Sequence, residues 1–264
     1  MKIDLTGRKA VVTGSTAGIG RAIAEGLALA GAAVVINGRT EERVASALRE
    51  LRAKFPDAEF VGVTADLATP EGSAALVAQV PDADILVNNV GTAHLNNFFD
   101  QSDDEWLDLF QLNVMSGVRA ARHYVPKMVE RGRGRVVFIS SESGLNIPKD
   151  MIDYGVSKAA LLAVSRGLAE LVAGTGVTVN AVVPGPTNSE ILSGWMTAMA
   201  AEQGITQAEA EQQFLKTARP TSLINRFSTT EEVANMVVYV CSYQASATTG
   251  AALRVDGGVV RSIG

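Results

Sequence analysis

A phenol and an ammonium group lie four residues apart in the segment DYGVSK, residues 153–158. Positions i and i+4 of a helix share one face, so a helix here would make Tyr154 and Lys158 neighbours. A positive charge about 4 Å from the phenol, at an effective dielectric of about 20, favours the phenolate by about 4 kcal/mol and lowers its pKa by about three before burial opposes it. The pair is a candidate for proton transfer near neutral pH. The same spacing also arises on solvated helices.

A serine hydroxyl adds to this pair. Ser141 follows the apolar run VVFIS and lies thirteen residues before Tyr154, where its hydroxyl can hold a carbonyl oxygen of a substrate. Side chains alternate along a strand, so Ser140 is expected to point to the other side. His94 and Glu142 fall near the expected pocket mouth. Either residue could contact the substrate, but we favour the interpretation that both are solvated, because polar loop residues usually are.

A glycine-rich segment, VVTGSTAGIGRAIA, joins an apparent strand to an apparent helix through Gly14, Gly18 and Gly20. Bare backbone at the positive end of a helix suits a pyrophosphate, which predicts a dinucleotide site. Glycines that merely permit tight packing are the alternative.

The second apparent strand ends in INGRT, which bears on the choice of dinucleotide. Gly38 stands where a carboxylate would bind the ribose hydroxyls of NAD, and Arg39 follows, able to pair with a 2′-phosphate. The sequence therefore favours NADP(H), with NAD(H) still possible, unless Arg39 is only a solvated helix-start residue. Asp66, in TADLAT, can accept a hydrogen bond from the adenine amino group or can favour a helix N-terminus.

Seven short apolar runs must position these residues. They alternate with helical patterns at 20–30, 41–54, 106–130 and 154–172, which predicts a parallel, doubly wound α/β sheet in one domain spanning 1–264. Such sheets bind ligands beyond the carboxyl ends of their strands, where the glycine, serine and asparagine motifs fall. Only 187–227 interrupts the alternation, and its Met and aromatic residues predict a partly apolar substrate lid.

Composition excludes several classes of function. The chain has 23 Lys and Arg against 28 Asp and Glu, a net charge of −5, without long basic runs, which argues against nucleic acid or anionic membrane as a partner. No apolar run is long enough to cross a bilayer and no secretory signal is evident, so we expect a cytoplasmic protein. Cys241 lies in an apolar run and is interpreted as core. Two histidines and one cysteine give no ligand set for a metal.

The motifs together resemble those of the short-chain dehydrogenase/reductases, in particular the branch of 3-oxoacyl reductases. TGSTAGIG is similar to the family's glycine motif, NNVG to its N-N-A-G, with Val90 in place of alanine, and YGVSK to its Y-x-x-x-K. The resemblance runs from Leu5 to the C-terminal LRVDGG and implies a Rossmann fold. It also implies that Ser141, Tyr154 and Lys158 are catalytic, and that Asn113, in FQLNVMSG, completes a tetrad by supporting a water that leads protons away from the lysine.

The same resemblance extends the expected cofactor site along the chain. The loop after the sixth strand is expected to hold the nicotinamide carboxamide. The expected cofactor-binding residues are Gly14, Ser15, Thr16, Gly18, Ile19, Gly20, Arg39, Asp66, Leu67, Asn89, Gly91, Tyr154, Lys158, Pro184, Gly185 and Thr187.

The implied activity is NADP(H)-dependent interconversion of a ketone or aldehyde and an alcohol, with Tyr154 as general acid and base. One alternative is reduction of a 3-oxoacyl group on acyl carrier protein, which needs a basic patch that Arg119, Arg122 and Lys127 offer only weakly. Another is a non-catalytic dinucleotide sensor, which would normally lack one of the three catalytic side chains. Relatives are commonly tetramers, so a homotetramer or homodimer is expected. The apolar helix residues that permit this interpretation, or equally burial in a monomer, are Leu109, Leu112, Leu161 and Leu168.

Overall fold

One sheet of seven parallel strands forms the centre of the chain, which a computed structural model describes over residues 2–263. The strands are β1 (Lys9–Val12), β2 (Ala33–Gly38), β3 (Phe60–Thr64), β4 (Ile85–Asn88), β5 (Gly134–Ile139), β6 (Val177–Pro184) and β7 (Ala252–Val255). Their order is β3-β2-β1-β4-β5-β6-β7, and every neighbouring pair is parallel. The predicted fold class is confirmed.

Helices cover both faces of the sheet. Within residues 2–263 they are α1 (Gly18–Leu29), α2 (Glu41–Lys54), α3 (Pro70–Gln79), α4 (Asp103–Phe110), α5 (Ser116–Glu130), α6 (Ile152–Leu171), α7 (Glu190–Gln203), α8 (Gln207–Ala218) and α9 (Thr230–Cys241). None of these helices has the length and apolar composition needed to cross a bilayer.

The two faces of the sheet carry separate hydrophobic cores. Ala10 and Val12 of β1 pack into the core with α1, α2 and α9, whereas Val11 packs into the core with α3, α5 and α6. This alternation follows from the period of two in strand side chains. Strands buried on both faces read as continuous apolar runs, and all eight residues of β6 are buried.

The predicted helix at 106–130 differs in detail. It begins three residues earlier, at Asp103, where Ser102 and Glu105 form a capping box. One π-helical turn, Gln111–Met115, then separates α4 from α5. Such turns often occur at functional sites, and this one contains Asn113.

The site is fixed by the strand order. β1 lies between β2 and β4, so the chain reverses direction across the sheet at β1 and β4 and leaves a crevice beyond their carboxyl ends. Helices α7 and α8, within the predicted insertion, form a small core of their own around Met196 and Leu215.

Candidate active site

A cavity of about 320 Å³ opens beyond the carboxyl ends of the strands. It brings together most of the residues predicted to act. Those that line it are Gly14, Thr16, Gly18, Ile19, Gly20, Asn89, Gly91, Ser141, Tyr154, Lys158, Pro184, Gly185 and Thr187. The other predicted residues, Ser15, Arg39, Asp66, Leu67 and Asn113, do not line it.

The glycine turn before α1 has a geometry that needs glycine. Gly14 and Gly18 have φ of 60° and 57°, in the left-handed region. A Cβ at Gly20 would collide with Asn89 Nδ2 and the Gly14 carbonyl oxygen, so this glycine allows the helix to pack tightly on the turn. Helix α1 has Ala17 as its N-cap residue, so no side chain caps the helix, and its first turn contains no acidic residue. Its backbone N–H groups therefore face the cavity without an anionic side chain of their own.

Buried polar side chains hold this turn in place. Asn89 Nδ2 donates to the carbonyl oxygens of Thr13 and Gly14, at 2.9 and 3.0 Å. Asn37 Oδ1 accepts from the Gly14 N–H at 3.1 Å, and its Nδ2 donates to the carbonyl oxygens of Val63 and Ala65. Asn37 was not predicted from the sequence, where its only signal was an amide within an apolar strand.

Ser15 belongs to the same scaffold. It is fully buried, and its hydroxyl donates to the Val12 carbonyl oxygen at 2.7 Å and accepts from the Asn37 N–H at 3.0 Å. Its side chain thus joins β1 to β2 and does not reach the cavity.

The end of β2 carries the two residues, Gly38 and Arg39, on which the predicted preference for NADP(H) depends. A Cβ at Gly38 would lie 2.6 Å from Thr16 Cγ2, so a side chain there would have to move the Thr16 side chain. Arg39 is exposed and forms no salt bridge within residues 2–263. Arg43, four residues later, lines the cavity and pairs with Glu190 at 2.6 Å. Arg43 was not predicted from the sequence, although a second arginine four residues after Arg39 was a signal for it.

Asp66 and Leu67 lie away from the cavity. Asp66 is exposed and its Oδ1 accepts from the Ala68 N–H at 3.1 Å, a contact that favours its interpretation as a residue of the turn before α3. Leu67 is buried in the core under α3 and α5.

Tyr154 and Lys158 lie on one face of α6, as their spacing predicts, with the Lys158 Nζ 5.5 Å from the centre of the phenol ring. That amine donates to the Ile139 carbonyl oxygen at 3.0 Å. Burial raises the pKa of Tyr154 to about 12, a hydrogen bond with Ser141 opposes this, Glu142 adds to it and Arg219 opposes it. The predicted fall in the tyrosine pKa is wrong, because burial, together with the Glu142 charge, outweighs the opposing effects of Ser141 and Arg219.

Burial also acts on the lysine. It lowers the pKa of Lys158 to about 8, since no carboxylate offsets the cost of removing the ammonium from water. Ser140 donates its hydroxyl to the Lys158 carbonyl oxygen at 2.8 Å and so ties β5 to α6. Ser141 begins a short 3₁₀ turn, Glu142–Gly144, and its Oγ accepts from the Ser143 N–H.

Asn113 is buried beside the lysine, not in the cavity wall. Its Oδ1 accepts from the Thr92 N–H, and its Nδ2 donates to the Thr92 carbonyl oxygen, each at 2.9 Å. The same Nδ2 lies 3.1 Å from Ser157 Oγ. A Cβ at Gly91 would lie 3.1 Å from Asn113 Oδ1 and 3.4 Å from Lys158 Nζ. Glycine at this position therefore allows the backbone to pass close to both side chains.

Glu142 and Arg219 form a buried ion pair in the cavity wall. Their side chains are 3% and 11% exposed, and Glu142 Oε1 lies 2.7 Å from Arg219 Nε. Burial raises the pKa of the Glu142 carboxyl, and Arg219 opposes this. The interpretation of Glu142 as solvated is therefore wrong. Arg219 follows α8, and no local signal in the sequence indicated that it would reach Ser141's turn. His94, by contrast, is exposed and outside the cavity wall.

The insertion supplies the remaining wall. Trp195 and Phe214 line the cavity from α7 and α8, while Met196 and Met199 pack within the small core between these helices. Thr187 is buried and donates its hydroxyl to the Gly185 carbonyl oxygen at 2.9 Å. The cavity thus has a polar side, from the turn after β5, and an apolar side, from the insertion.

Comparisons with known proteins agree with this arrangement. The family described as short chain dehydrogenase matches residues 8–200. An uncharacterised oxidoreductase of Bacillus subtilis is 46% identical over 263 residues and covers 100% of both chains. A 3-oxoacyl-(acyl-carrier-protein) reductase of Aquifex aeolicus is 35% identical, over 98% of this chain and 100% of the relative.

Among solved structures, L-sorbose reductase from Gluconobacter frateurii, complexed with NADPH and L-sorbose, superposes with a TM-score of 0.94 at 35% identity, over 100% of both chains. The family match covers most of the sequence and the superposition extends over the whole fold. The chain therefore belongs to the short-chain dehydrogenase/reductase family.

Proposed function

We propose that the protein uses NADP(H) to interconvert a ketone or aldehyde and an alcohol, with Tyr154 as general acid and base. The observation that carries this proposal is the convergence of Ser141, Tyr154 and Lys158 in one cavity wall, opposite a glycine turn and an uncapped helix start. The solved relative with NADPH and a ketose supports both the cofactor and the reaction type.

The residues around the cavity fit a dinucleotide. The turn at Gly14 and Gly18 and the first N–H groups of α1 would hold the pyrophosphate. Arg39 would pair with the 2′-phosphate, since Gly38 offers no carboxylate to repel it. Lys158 would hold the nicotinamide ribose, and the loop containing Thr187 would hold the carboxamide. NADPH, when bound there, supplies the hydride for the carbonyl carbon.

Residues of the chain itself would transfer the proton to the carbonyl oxygen of the substrate. Ser141 donates a hydrogen bond to the carbonyl oxygen of the substrate and Tyr154 gives that oxygen its proton. With its pKa raised to about 12, the phenol is protonated at neutral pH, which suits the reductive direction. Lys158 Nζ lies 5.5 Å from the centre of the phenol ring and, beside Gly91, close to Asn113. Protons would return to the phenol along this route. Oxidation of an alcohol is the reverse, and higher pH favours it.

Replacing Tyr154 by Phe tests the role of the phenol. The hydroxyl is lost and the ring is kept, so we expect NADPH-dependent ketone reduction to fall by about 10²- to 10⁴-fold, the usual contribution of a positioned general acid. NADPH binding, followed by fluorescence titration, should stay within threefold. Activity within tenfold of the unmodified protein would remove Tyr154 from this role.

The two other candidate functions give different results in the same assay. A dinucleotide sensor would bind NADPH and never oxidise it with any ketone. A 3-oxoacyl reductase, which the Aquifex relative supports, would reduce an acetoacetyl thioester far better than a small ketone. Purified protein, NADPH and a panel of carbonyl compounds therefore separate the three.

A further inference from the structure

The ion pair between Glu142 and Arg219 leaves one buried oxygen without a partner. Glu142 Oε1 accepts from Arg219 Nε at 2.7 Å and from Ser143 Oγ at 3.1 Å. Glu142 Oε2 has no hydrogen-bond partner anywhere in the described chain. A buried carboxylate oxygen in this state is costly, because it has lost its water without gaining a donor.

The position of this carboxylate is next to the proposed chemistry. Glu142 follows Ser141 directly, on the same 3₁₀ turn, and both residues line the cavity. Arg219 also lines it, with its guanidinium 5.8 Å from the ring of Phe214. Glu142 also contributes to the raised pKa of Tyr154, as expected of a negative charge close to the phenol.

The chemistry of the pair limits what it can bind. A carboxylate oxygen accepts hydrogen bonds and donates none, so its partner must be a donor such as a hydroxyl group. The guanidinium already balances the carboxylate charge, which leaves no surplus positive charge for an acidic substrate. A sugar acid would bring its own carboxylate toward Oε2 and be repelled.

We propose that Glu142, held in place by Arg219, accepts a hydrogen bond from a hydroxyl group next to the reacting carbonyl, and so selects neutral hydroxyketones and the corresponding polyols. This inference rests on the proposed function and names the substrate class of the same site. A 3-oxoacyl thioester has no hydroxyl at that position and would leave Oε2 without a donor.

A matched pair of ketones tests the proposal. Hydroxyacetone and butanone differ mainly in a hydroxyl in place of a methyl group, and the ratio of their kcat/KM values is measured with NADPH. We expect the unmodified protein to favour hydroxyacetone. In a Glu142→Leu, Arg219→Met variant, which removes both charges together and avoids a lone buried ion, the ratio should fall roughly tenfold to hundredfold.

Two further variants make the result specific. Glu142→Gln, which keeps the shape of the side chain, should lower the ratio in the same direction and provides the readout if the double variant fails to bind NADPH. Glu202→Gln, an exposed glutamate of α7 outside the cavity wall, should leave the ratio unchanged.

These experiments distinguish a failure of the proposed role of Glu142 from a failure of the proposed function. An unchanged ratio in the Glu142 variants overturns the inference, as does an unmodified protein that prefers butanone or an acetoacetyl thioester, and the proposed function then still stands. An unmodified protein that binds NADPH but reduces no carbonyl compound overturns the proposed function itself.

Discussion

Tyr154 and Lys158 are both driven toward their neutral forms by burial, which raises the pKa of the phenol and lowers that of the amine. Their spacing in the sequence predicted that they would be neighbours, and they are. The spacing could not show how deeply both groups are buried, because residues from β5 and the loop after it close over them. The expected contact is therefore present, while the expected direction of the tyrosine pKa is not.

The low pKa of Lys158 has a consequence for stability that can be measured. Between about pH 8 and the unfolded value near 10.4, the unfolded chain binds more protons at this residue, so its contribution to stability rises with pH across that window. Replacing Lys158 by Met should therefore raise the free energy of unfolding by about 1–3 kcal/mol at pH 7. The gain should vanish by about pH 10.5.

Urea unfolding of both proteins at several pH values measures this difference. A gain that is the same at pH 7 and pH 10.5 would show that the ammonium is not what costs stability. Activity should be lost in the variant at every pH, since Lys158 is also proposed to bind the ribose.

Arg39 carries the proposed preference for NADP(H). Replacing it by Asp puts a negative charge where the 2′-phosphate would bind, so kcat/KM with NADPH should fall by about 10- to 100-fold relative to NADH. Steady-state kinetics with both cofactors measure the change. Arg49→Asp, at an exposed position within α2, is the matched control and should leave the preference as it was. A variant at position 39 that still prefers NADPH would contradict the assignment.

At the scale of elements, Gly20 allows the start of α1 to pack tightly on the turn that follows β1. A Cβ at Gly20 would meet the Gly14 carbonyl oxygen and Asn89 Nδ2, which is itself hydrogen-bonded to that oxygen. Gly20→Ala should therefore displace the turn, lower the free energy of unfolding by about 1–3 kcal/mol and weaken NADPH binding at least tenfold. Urea unfolding and fluorescence titration measure the two effects.

A second glycine provides the control for this prediction. Gly167 lies within α6, and a Cβ there would meet nothing within 4 Å. Gly167→Ala should stabilise the chain by about 0.5–1 kcal/mol, because alanine has less backbone freedom to lose in a helix. If both substitutions had the same effect, the collision at Gly20 would not be its cause.

The π-helical turn shows where element prediction from sequence fails. Apolar positions in 106–130 follow helical spacing closely enough to predict a helix, and most of that range is helical. The wider turn at Asn113 is set by contacts with Thr92 and Ser157, which lie on other segments. The apolar pattern of a single segment cannot predict contacts with residues on other segments.

Across the whole molecule, local patterns predicted the strands, and alternation with helices predicted the parallel sheet. The glycine turn, Ser141, Tyr154 and Lys158 could be assigned to one edge because parallel strands end there together. Partners distant in sequence escaped prediction, as with Glu142 and Arg219, since neither lies in a motif. Asn37 escaped for a related reason, because a polar group within a strand reveals its partners only after the strands pair. Ser15 was expected at the cofactor, and its buried position depends on that same contact with Asn37.

The leucines that suggested an oligomer in the sequence do not provide a continuous exposed surface in the structure. Leu109 and Leu161 are buried within one chain, so they are not free to form an interface, whereas Leu112 and Leu168 are only partly buried. Exposed apolar side chains lie instead around the start of α4, where Phe99 is 89% exposed and Leu107 is 59% exposed. A homotetramer or homodimer is therefore a proposal that rests on this surface.

The contact between Arg43 and Glu190 joins α2 to the start of α7 at the cavity rim, next to Gly18. A dinucleotide bound at the glycine turn would lie next to this ion pair, so we expect the ion pair to open when the dinucleotide leaves. Both side chains are about half exposed, and dissolved salt weakens such contacts. We expect the rate of cofactor release to rise with ionic strength. The rate of hydride transfer inside the cavity should not change with ionic strength.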